Sequence, residues 1–508
     1  MIPRRRFLVG SLASAALAAP AGFVRGVPIS FGTDPFTLGI ASGCPRQDRV
    51  ILWTRLAPQP LDGGGMQAAV DVEWQVADDE SFSRIACHGV VQATAELGHS
   101  VHAEATGLRP DRVYWYRFRA GPALSPVGRT RTAPAESGRP FRFAFASCQQ
   151  YEQGYFTAYR DMAARDLDLV VHLGDYIYEK SWGSRHVRQH GVGIPTTLEE
   201  FRNRYALYKS DSDLQAAHAA FPWLSVWDDH EVMDDYANDR SYTVRDPVQF
   251  LKIRAAAYQA YYEHMPLPPS ARTRGADVTI YEHYRFGDML DVLLLDDRQY
   301  RSASACVGNG RPTWVTDCAG RLDEARTMLG ERQEQWLDAR LRDCRGRWTI
   351  VAQQTLMAQD KREGDDGARF WMDGWDGYPN ARRRLLDSLL AHRRRNPIVI
   401  GGDRHAFFTA DLKHDFARPD GPTVATEFVG TSITSDGPSE SSVRKALAEN
   451  PHLIFARGDK RGYATVELDA RHGTVGFEVL DDVKDARSAV RRLTTFVVED
   501  GAPGAKAA

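Results

Sequence analysis

The sequence predicts an α/β fold with an all-β domain in front of it, and three observations carry that prediction. From Phe141 onward, short apolar runs alternate with stretches of helical period. Residues 35–135 instead alternate apolar with polar side chains and contain no convincing helix. Six of the later apolar runs also end in metal-binding or acid–base side chains. They are Arg142–Ala146 before Ser147-Cys148, Leu167–Leu173 before Gly174-Asp175, and Trp223–Trp227 before Asp228-Asp229-His230-Glu231. Asp291–Leu295 precedes Asp296-Asp297-Arg298, Trp348–Ala352 precedes Gln353-Gln354, and Pro397–Ile400 precedes Gly401-Gly402-Asp403-Arg404-His405. Runs rich in Val, Ile, Leu and Trp read as strands of one α/β sheet, because a strand covered on both faces loses the apolar–polar alternation. Ligands of such sheets bind beyond the carboxyl ends of the strands. The six runs therefore predict one site where the strands end.

Residues 1–30 read as a signal peptide. Arg4-Arg5-Arg6-Phe7-Leu8 precedes an uncharged run, Val9–Ala19, and then small-residue cleavage sites around Ala16–Ala21. The apolar run is too short to span a bilayer. Arg-Arg-x-Phe-Leu resembles a twin-arginine signal, which implies export of the folded chain to the periplasm or beyond by that machinery. No later segment approaches the ~18 consecutive apolar residues of a membrane span, so no stable membrane insertion is expected. A monomer is expected.

At 508 residues the chain is long for one core, which predicts two domains or one with large insertions. Its hydrophobic fraction of 43% and charged fraction of 26% are those of an ordinary globular protein, and a net charge of −3 gives no drive toward nucleic acid. The basic runs Arg382–Arg384 and Arg393–Arg395 read as a solvated helix face. Of six cysteines, Cys306 and Cys318 are the expected disulfide pair, since they lie close together in a Gly-rich loop of a chain bound for an oxidising compartment.

The leading domain is expected over 31–135. Val70–Val76 and Arg112–Phe118 alternate apolar with polar residues, and Thr106-Gly107-Leu108-Arg109-Pro110 leads into the second of them. That arrangement resembles an immunoglobulin- or fibronectin-like sandwich. A linker over 132–138 ends it. The catalytic domain is expected over 140–485, with helices at Phe156–Arg165, Leu198–Tyr208, Asp246–Tyr262, Glu331–Arg342 and Ala381–Arg394. Polar inserts at Ser181–Thr197, Arg301–Gly320 and Asp360–Pro379 read as lids or binding loops. Tyr463–Leu468 and Thr474–Leu480 read as a hairpin. Residues 486–508 are expected to be a tail that frays beyond about Asp482, because its tip is poor in apolar residues.

Chemistry concentrates at the strand ends. In Gly174-Asp175-Tyr176-Ile177-Tyr178 a carboxylate is followed by phenols, and a Tyr oxygen binds metal well only when a strongly Lewis-acidic ion such as ferric iron deprotonates it. Spacing does not rank Tyr176 against Tyr178. Asp403 and His405 lie two apart, on one side of an extended segment, and both are ordinary ligands for zinc or iron. Arg404 between them suits a substrate anion. Asp228, Asp229, His230 and Glu231 crowd carboxylates that repel one another unless a cation compensates, and Asp234, Asp235, Asn238 and Asp239 extend this oxygen-rich surface toward a hard cation such as calcium or magnesium. Cys148 reads as a metal thiolate ahead of a nucleophile or a buried thiol, because no base-orienting triad accompanies it. Such a set of anions favours a trivalent ion over zinc.

Gly-Asp-x-x-Tyr at 174–178, Asp-Asp-His-Glu at 228–231 and Gly-Asp-x-His at 402–405 resemble the calcineurin-like metallophosphoesterase pattern. Ser147-Cys148-Gln149, Trp227–Val232, Leu295–Arg298 and Trp375-Asp376-Gly377-Tyr378 resemble, more closely, the PhoD-type alkaline phosphatase and phosphodiesterase family, over roughly residues 31–480. The resemblance implies a β-sandwich flanked by helices. It implies Fe3+ held by Cys148, Asp175, Tyr178, Asp403 and His405, with Asp229 a further metal ligand. One or two Ca2+ ions are implied alongside, with Asp175 as a bridge and Asp235 and Asp376 as ligands. Two departures stand out: Asp234 and Asp235 where the family often has Asn, and Ser42-Gly43-Cys44-Pro45 where Ser-Gly-Asp-Pro is common.

The expected activity is hydrolysis of a phosphate mono- or diester by a metal-activated water, with phospholipase D-like activity within its range. Arg404 and Arg298 are the candidates for neutralising transition-state charge, and His230 for orienting groups or protonating the leaving group. The alternatives are a secreted binding protein that kept the fold without catalysis, and a hydrolase using Cys148. Asp296, Asp297 and Gln354 have no assigned role.

Overall fold

A computed structural model describes residues 31–508 apart from 137, 309 and 317. The signal peptide expected over residues 1–30 lies outside the described residues. Among the described residues, no helix is long and apolar enough to cross a membrane.

All six apolar runs are strands: Phe141–Ala146, Leu169–Leu173, Pro222–Val226, Leu290–Leu294, Trp348–Ala352 and Pro397–Gly401. They do not share one sheet, as the runs alone predicted. The first three lie parallel within a ten-stranded sheet, and the last three lie parallel within a seven-stranded sheet. Both sets are buried on both faces, so their sequences carry the same signature and nothing in it assigns a strand to a sheet. The two sheets pack face to face through Phe143, Phe145 and Val475 from one and Ile350, Ile398 and Phe428 from the other. Phe407 stacks on Phe477 across the gap at 4.3 Å. This is the helix-flanked β-sandwich that the resemblance implied.

Helices cover the outer faces. The five expected ones form at Thr157–Ala163, Leu198–Lys209, Pro247–His264, Glu331–Asp343 and Pro379–Ala391. Their starts are local: Thr197 and Glu200 form a capping box, and Asp246 caps a helix with Pro247 in its first turn. Ser212–Ala220 and Glu440–Glu449 are further helices, capped by the side chains of Asp211 and Ser439. Each buries only two or three side chains, so its apolar stripe is short in sequence.

The leading all-β region is present and is continuous with the larger sheet. Ile85–Ala93, Val70–Ala77 and Val113–Ala120 are successive strands of one layer, the first at its edge. Val72, Tyr116 and Phe118 of that layer pack on Val50, Leu52 and Val101 of the other. The second layer, Ile40–Gly43, Arg49–Arg55 and Ser100–Thr106, joins the ten-stranded sheet because Ile40–Gly43 pairs in parallel with Pro222–Val226.

The C-terminus does not fray. The expected hairpin forms at Gly462–Leu468 and His472–Leu480, and Val490–Glu499 and Ala502–Ala507 add two more antiparallel strands at the sheet edge. Phe496 and Val498 point into the sandwich core and are buried. The small residues at the tip need no burial of their own, since backbone pairing around a turn with Gly501 at φ 79° holds them.

Candidate metal centre and active site

The six strand ends meet at one edge of the sandwich, cross-linked by backbone hydrogen bonds. Cys148 N donates to the carbonyl of Gly174 at 3.1 Å, and Gly402 N to that of Gln354 at 2.7 Å. Thirteen described non-glycine residues have positive φ, and five of these are expected metal ligands: Cys148 at 60°, Asp175 at 57°, Asp235 at 58°, Asp403 at 60° and His405 at 52°. Left-handed backbone costs an L-residue about 1–2 kcal/mol, so the surrounding fold must hold these residues there to aim their side chains inward. Gly174, at φ 100°, permits the close approach. A Cβ there would lie 2.5 Å from Asp228 Cβ.

Ligand atoms of Cys148, Asp175 and His405 lie within 4.8 Å of one another. Tyr178 Oη donates to Asp175 Oδ2 at 2.9 Å, lies 3.2 Å from His405 Nε2, and accepts from Ser435 Oγ at 2.8 Å. Asp403 groups with Asp228 and Asp229 on the same criterion. Asp175 also groups with Asp229 and His230, and Asp229 with Asp234 and Asp235. The clusters share members, so one continuous donor surface runs from Cys148 to Asp235. The His405 Nδ1 contact with the Asp436 carbonyl, at 2.7 Å, turns Nε2 inward. Structure thus separates the two tyrosines that spacing left unranked: Tyr176 Oη meets His218 Nε2 at 2.8 Å, away from this cluster.

The electrostatics fit a cation. Burial, followed by repulsion from neighbouring carboxylates, pushes Asp175 well above the usual range although His230 opposes it. Burial raises Asp228 and Asp403 too, against the pull of Arg298, and raises Asp235, with Asp373 and Asp234 adding repulsion. The Cys148 thiol and Tyr178 phenol are raised well above their usual values by burial and then by Asp175. Buried oxygens of Asp175, Asp228 and Asp229 have no hydrogen-bond partner. Unpartnered buried anions are costly, and a multivalent cation removes that cost for all of them at once.

His230 sits at the mouth. Its Nδ1 lies 2.6 Å from Glu179 Oε2 and its Nε2 3.6 Å from Asp234 Oδ1, while its ring stacks on Trp182. Burial opposes a charged imidazole, but Glu179, Asp229 and Asp175 together hold its pKa well above the ordinary value. Arg404 lies beside Asp403 with Nη2 3.0 Å from Asp360 Oδ2.

Two expected site residues are elsewhere. Asp376 is not in the cluster: its Oδ1 accepts from Arg382 Nη1 at 2.8 Å and its Oδ2 from Asp360 N at 2.8 Å. That pair also buries Arg382, which the sequence placed on a solvated face. Arg298 makes its contacts with acidic side chains of the fold. It is buried, bonded to Asp228 and, at 2.8 Å, to Asp373, so its charge is spent inside the fold.

Sequence reasoning counted Glu231 only among the crowded carboxylates and missed Asp373, Glu179 and Arg311, all of which shape the site. Glu231 accepts from the backbone N–H groups of Asp175 (3.1 Å), Tyr176 (2.6 Å) and Asp228 (2.9 Å), and so fixes two strand ends together. Asp373 anchors Arg298 and Arg301, and Glu179 holds His230. Arg311 reaches Asp234 at 3.0 Å and Asp235 at 2.9 Å from the loop that the Cys306–Cys318 disulfide closes. The position of Glu179 directly after Tyr178 was the available signal; the others act across long sequence separations. The unassigned ends turn out to brace loops. Asp297 N donates to Gln354 Oε1 at 2.7 Å and Gln354 N to Asp297 Oδ2 at 3.2 Å, while Asp296 accepts from Arg298 N and Gln299 N.

A family model described as PhoD-like phosphatase matches residues 143–477, and one described as the PhoD-like phosphatase N-terminal domain matches residues 22–134. The chain is 42% identical over 523 residues to alkaline phosphatase D of Bacillus subtilis (strain 168), which covers 99% of this chain and 88% of that one. A solved structure described as the structure of PhoD superposes with a TM-score of 0.90 at 42% identity, covering 94% of this chain and 93% of the other. With both halves of the chain matched and the likeness spanning nearly its whole length, the chain belongs to the PhoD-like phosphatase family and is a phosphoric ester hydrolase.

Proposed function

We propose that this chain is an exported, metal-dependent alkaline phosphatase and phosphodiesterase, active as a monomer. The observation that carries this reading is the cluster of buried Asp175, Asp228 and Asp229 with half-buried Asp403, facing Cys148, Tyr178 and His405, in which oxygens of the three buried carboxylates are left unpartnered. Cys148, Asp175, Tyr178, Asp403 and His405 would hold Fe3+, which matches their thiolate, phenolate, carboxylate and imidazole donors. Asp175, Asp229 and Asp235 would hold Ca2+, which takes oxygen donors. Bound there, the cations would polarise the phosphoryl group and lower the pKa of a water.

The protein's own groups supply the rest. Glu179 keeps the His230 ring oriented and protonated, so that Nε2 has a proton to give to a departing alkoxide. Arg404, partly accessible beside Asp403, meets the anionic ester. Glu231 and Arg298 keep the carboxylates in place without touching substrate. Export by the twin-arginine route, suggested by Arg4-Arg5-Arg6-Phe7-Leu8, suits a chain that folds around its metal before it leaves.

Metal analysis of the purified protein together with turnover of a monoester and a diester model substrate, with calcium and with chelator, tests this. Iron with a visible ferric–phenolate band, and activity that falls with chelator and returns with calcium, are expected. A metal-free protein of full activity would overturn the reading.

A further inference from the structure

The metal cavity, of 380 Å³, opens beside a second one of 240 Å³, and Trp371 and Asp403 line both. Trp314 lines the smaller. The two tryptophans are register partners on neighbouring strands of the three-stranded sheet formed by the inserts, with ring centroids 6.0 Å apart and planes at 49°. Both are only half-buried, and neither belongs to an apolar core among the described residues. Large rings left at the rim of a site, outside every core, do little for stability that a smaller residue would not.

Charge lies on the same side. The Arg362 guanidinium is 5.2 Å and that of Arg404 6.0 Å from the Trp314 ring centre. Both bond Asp360, at 2.5 Å from Arg362 Nε and 3.0 Å from Arg404 Nη2. Two guanidinium groups sharing one carboxylate leave a positive charge next to the rings, which favours electron-rich surfaces.

We infer that Trp314 and Trp371 form a stacking platform for the organic part of the substrate, so that this enzyme prefers phosphate esters whose alcohol carries a planar aromatic ring. The inference rests on the ester-hydrolase reading above and adds the substrate class to it. A phosphoryl group at the carboxylate cluster puts its ester substituent at the shared wall, Trp371. Stacking of a base or aryl ring on an aromatic side chain is worth roughly five- to hundredfold in affinity.

The test compares esters matched at the scissile bond. Adenosine 5′-phosphate is set against methyl riboside 5-phosphate, and benzyl phosphate against cyclohexylmethyl phosphate, on the metal-loaded full-length enzyme and on Trp314→Ala, Trp371→Ala and Trp314→Phe. Wild type should favour the ring-bearing member of each pair at least fivefold in kcat/KM. The ratio should fall toward one in both alanine variants and persist in Trp314→Phe, which keeps a ring if the alanine variants fold poorly. A preference in the first pair alone assigns the platform to nucleobases, and in both pairs to any flat ring. Equal kcat/KM within both wild-type pairs, or a ratio unchanged by all three substitutions, overturns the inference while leaving ester hydrolysis intact. Calorimetric binding of each pair reads the same preference without turnover. If the binding preference is present but no ester is hydrolysed, the platform stands and the hydrolase reading fails.

Discussion

Arg298 Nη1 lies 2.8 Å from Asp373 Oδ2, in an ion pair whose partners are almost wholly buried beneath the carboxylate cluster. Arg298 also bonds Asp228 and lies 3.6 Å from Asp229. Removing one partner of such a network leaves uncompensated charge, at a cost of about 3–5 kcal/mol. Arg298→Ala should therefore lower the melting temperature strongly, whereas Arg404→Ala should fold normally and raise KM. An Arg298→Ala protein with wild-type stability and only a raised KM would return this arginine to substrate binding.

Tyr178 contributes an oxygen to the cluster and a ring to the packing, where it lies 4.7 Å from the Trp182 ring and 4.2 Å from His230. Tyr178→Phe keeps the ring and removes the oxygen. The visible ferric–phenolate band should vanish and iron content should drop, with little change in the circular dichroism spectrum. Retention of the band would assign the phenolate to another tyrosine.

Glu427 lies inside the seven-stranded sheet and accepts from Met357 N at 2.6 Å and Ala358 N at 2.7 Å. Burial outweighs those bonds and raises its pKa from 4.5 to about 7. A folded pKa above the unfolded one means the neutral acid is favoured by folding. Its contribution is complete below about pH 4.5 and is lost as pH climbs through 7, roughly 3 kcal/mol over that window. Thermal unfolding of wild type should show stability declining from pH 5 to 8 more steeply than in Glu427→Gln. Parallel profiles for the two proteins would rule the effect out.

The Cys306–Cys318 disulfide closes the loop that carries Arg311 and Trp314. Closing a loop of about this size stabilises it by roughly 3 kcal/mol in the chain-entropy model. Reduction, or Cys306→Ser with Cys318→Ser, should free the insert, speed tryptic cleavage at Arg311 and raise KM several-fold, with a smaller effect on kcat. Equal cleavage rates with and without reductant would show that the sheet alone holds the insert.

Much of this was legible in the chain. A buried strand must be apolar and the site must be polar, so each run stops where chemistry starts, and Cys148, Asp175, Asp403 and His405 announce themselves by position. Sheet membership was not legible, because Phe145 pairs with Ala464 and Trp348 with Leu290, choices made across the whole fold. Nor was the difference between Asp373 and Asp376. Both sit in one short segment, and only the arginine each one meets decides which supports the cluster and which braces the helix that follows. Nor were the partners of Arg298, for the same reason: a guanidinium at a strand end looks the same in sequence whether it faces a substrate anion or a neighbouring carboxylate. The final strands escaped notice because small residues paired through the backbone leave little apolar signature.

The pairing of Phe141–Ala146 with Gly462–Leu468 also sets an order of events during synthesis. The strand that presents Cys148 gains its neighbour on one side only after more than three hundred further residues have been made. His405 and Ser435, which meet Tyr178, likewise emerge late. The donors are therefore all made before the sheet that aims Cys148 can close, and the choice of ion falls to whichever compartment holds the chain when its two sheets close.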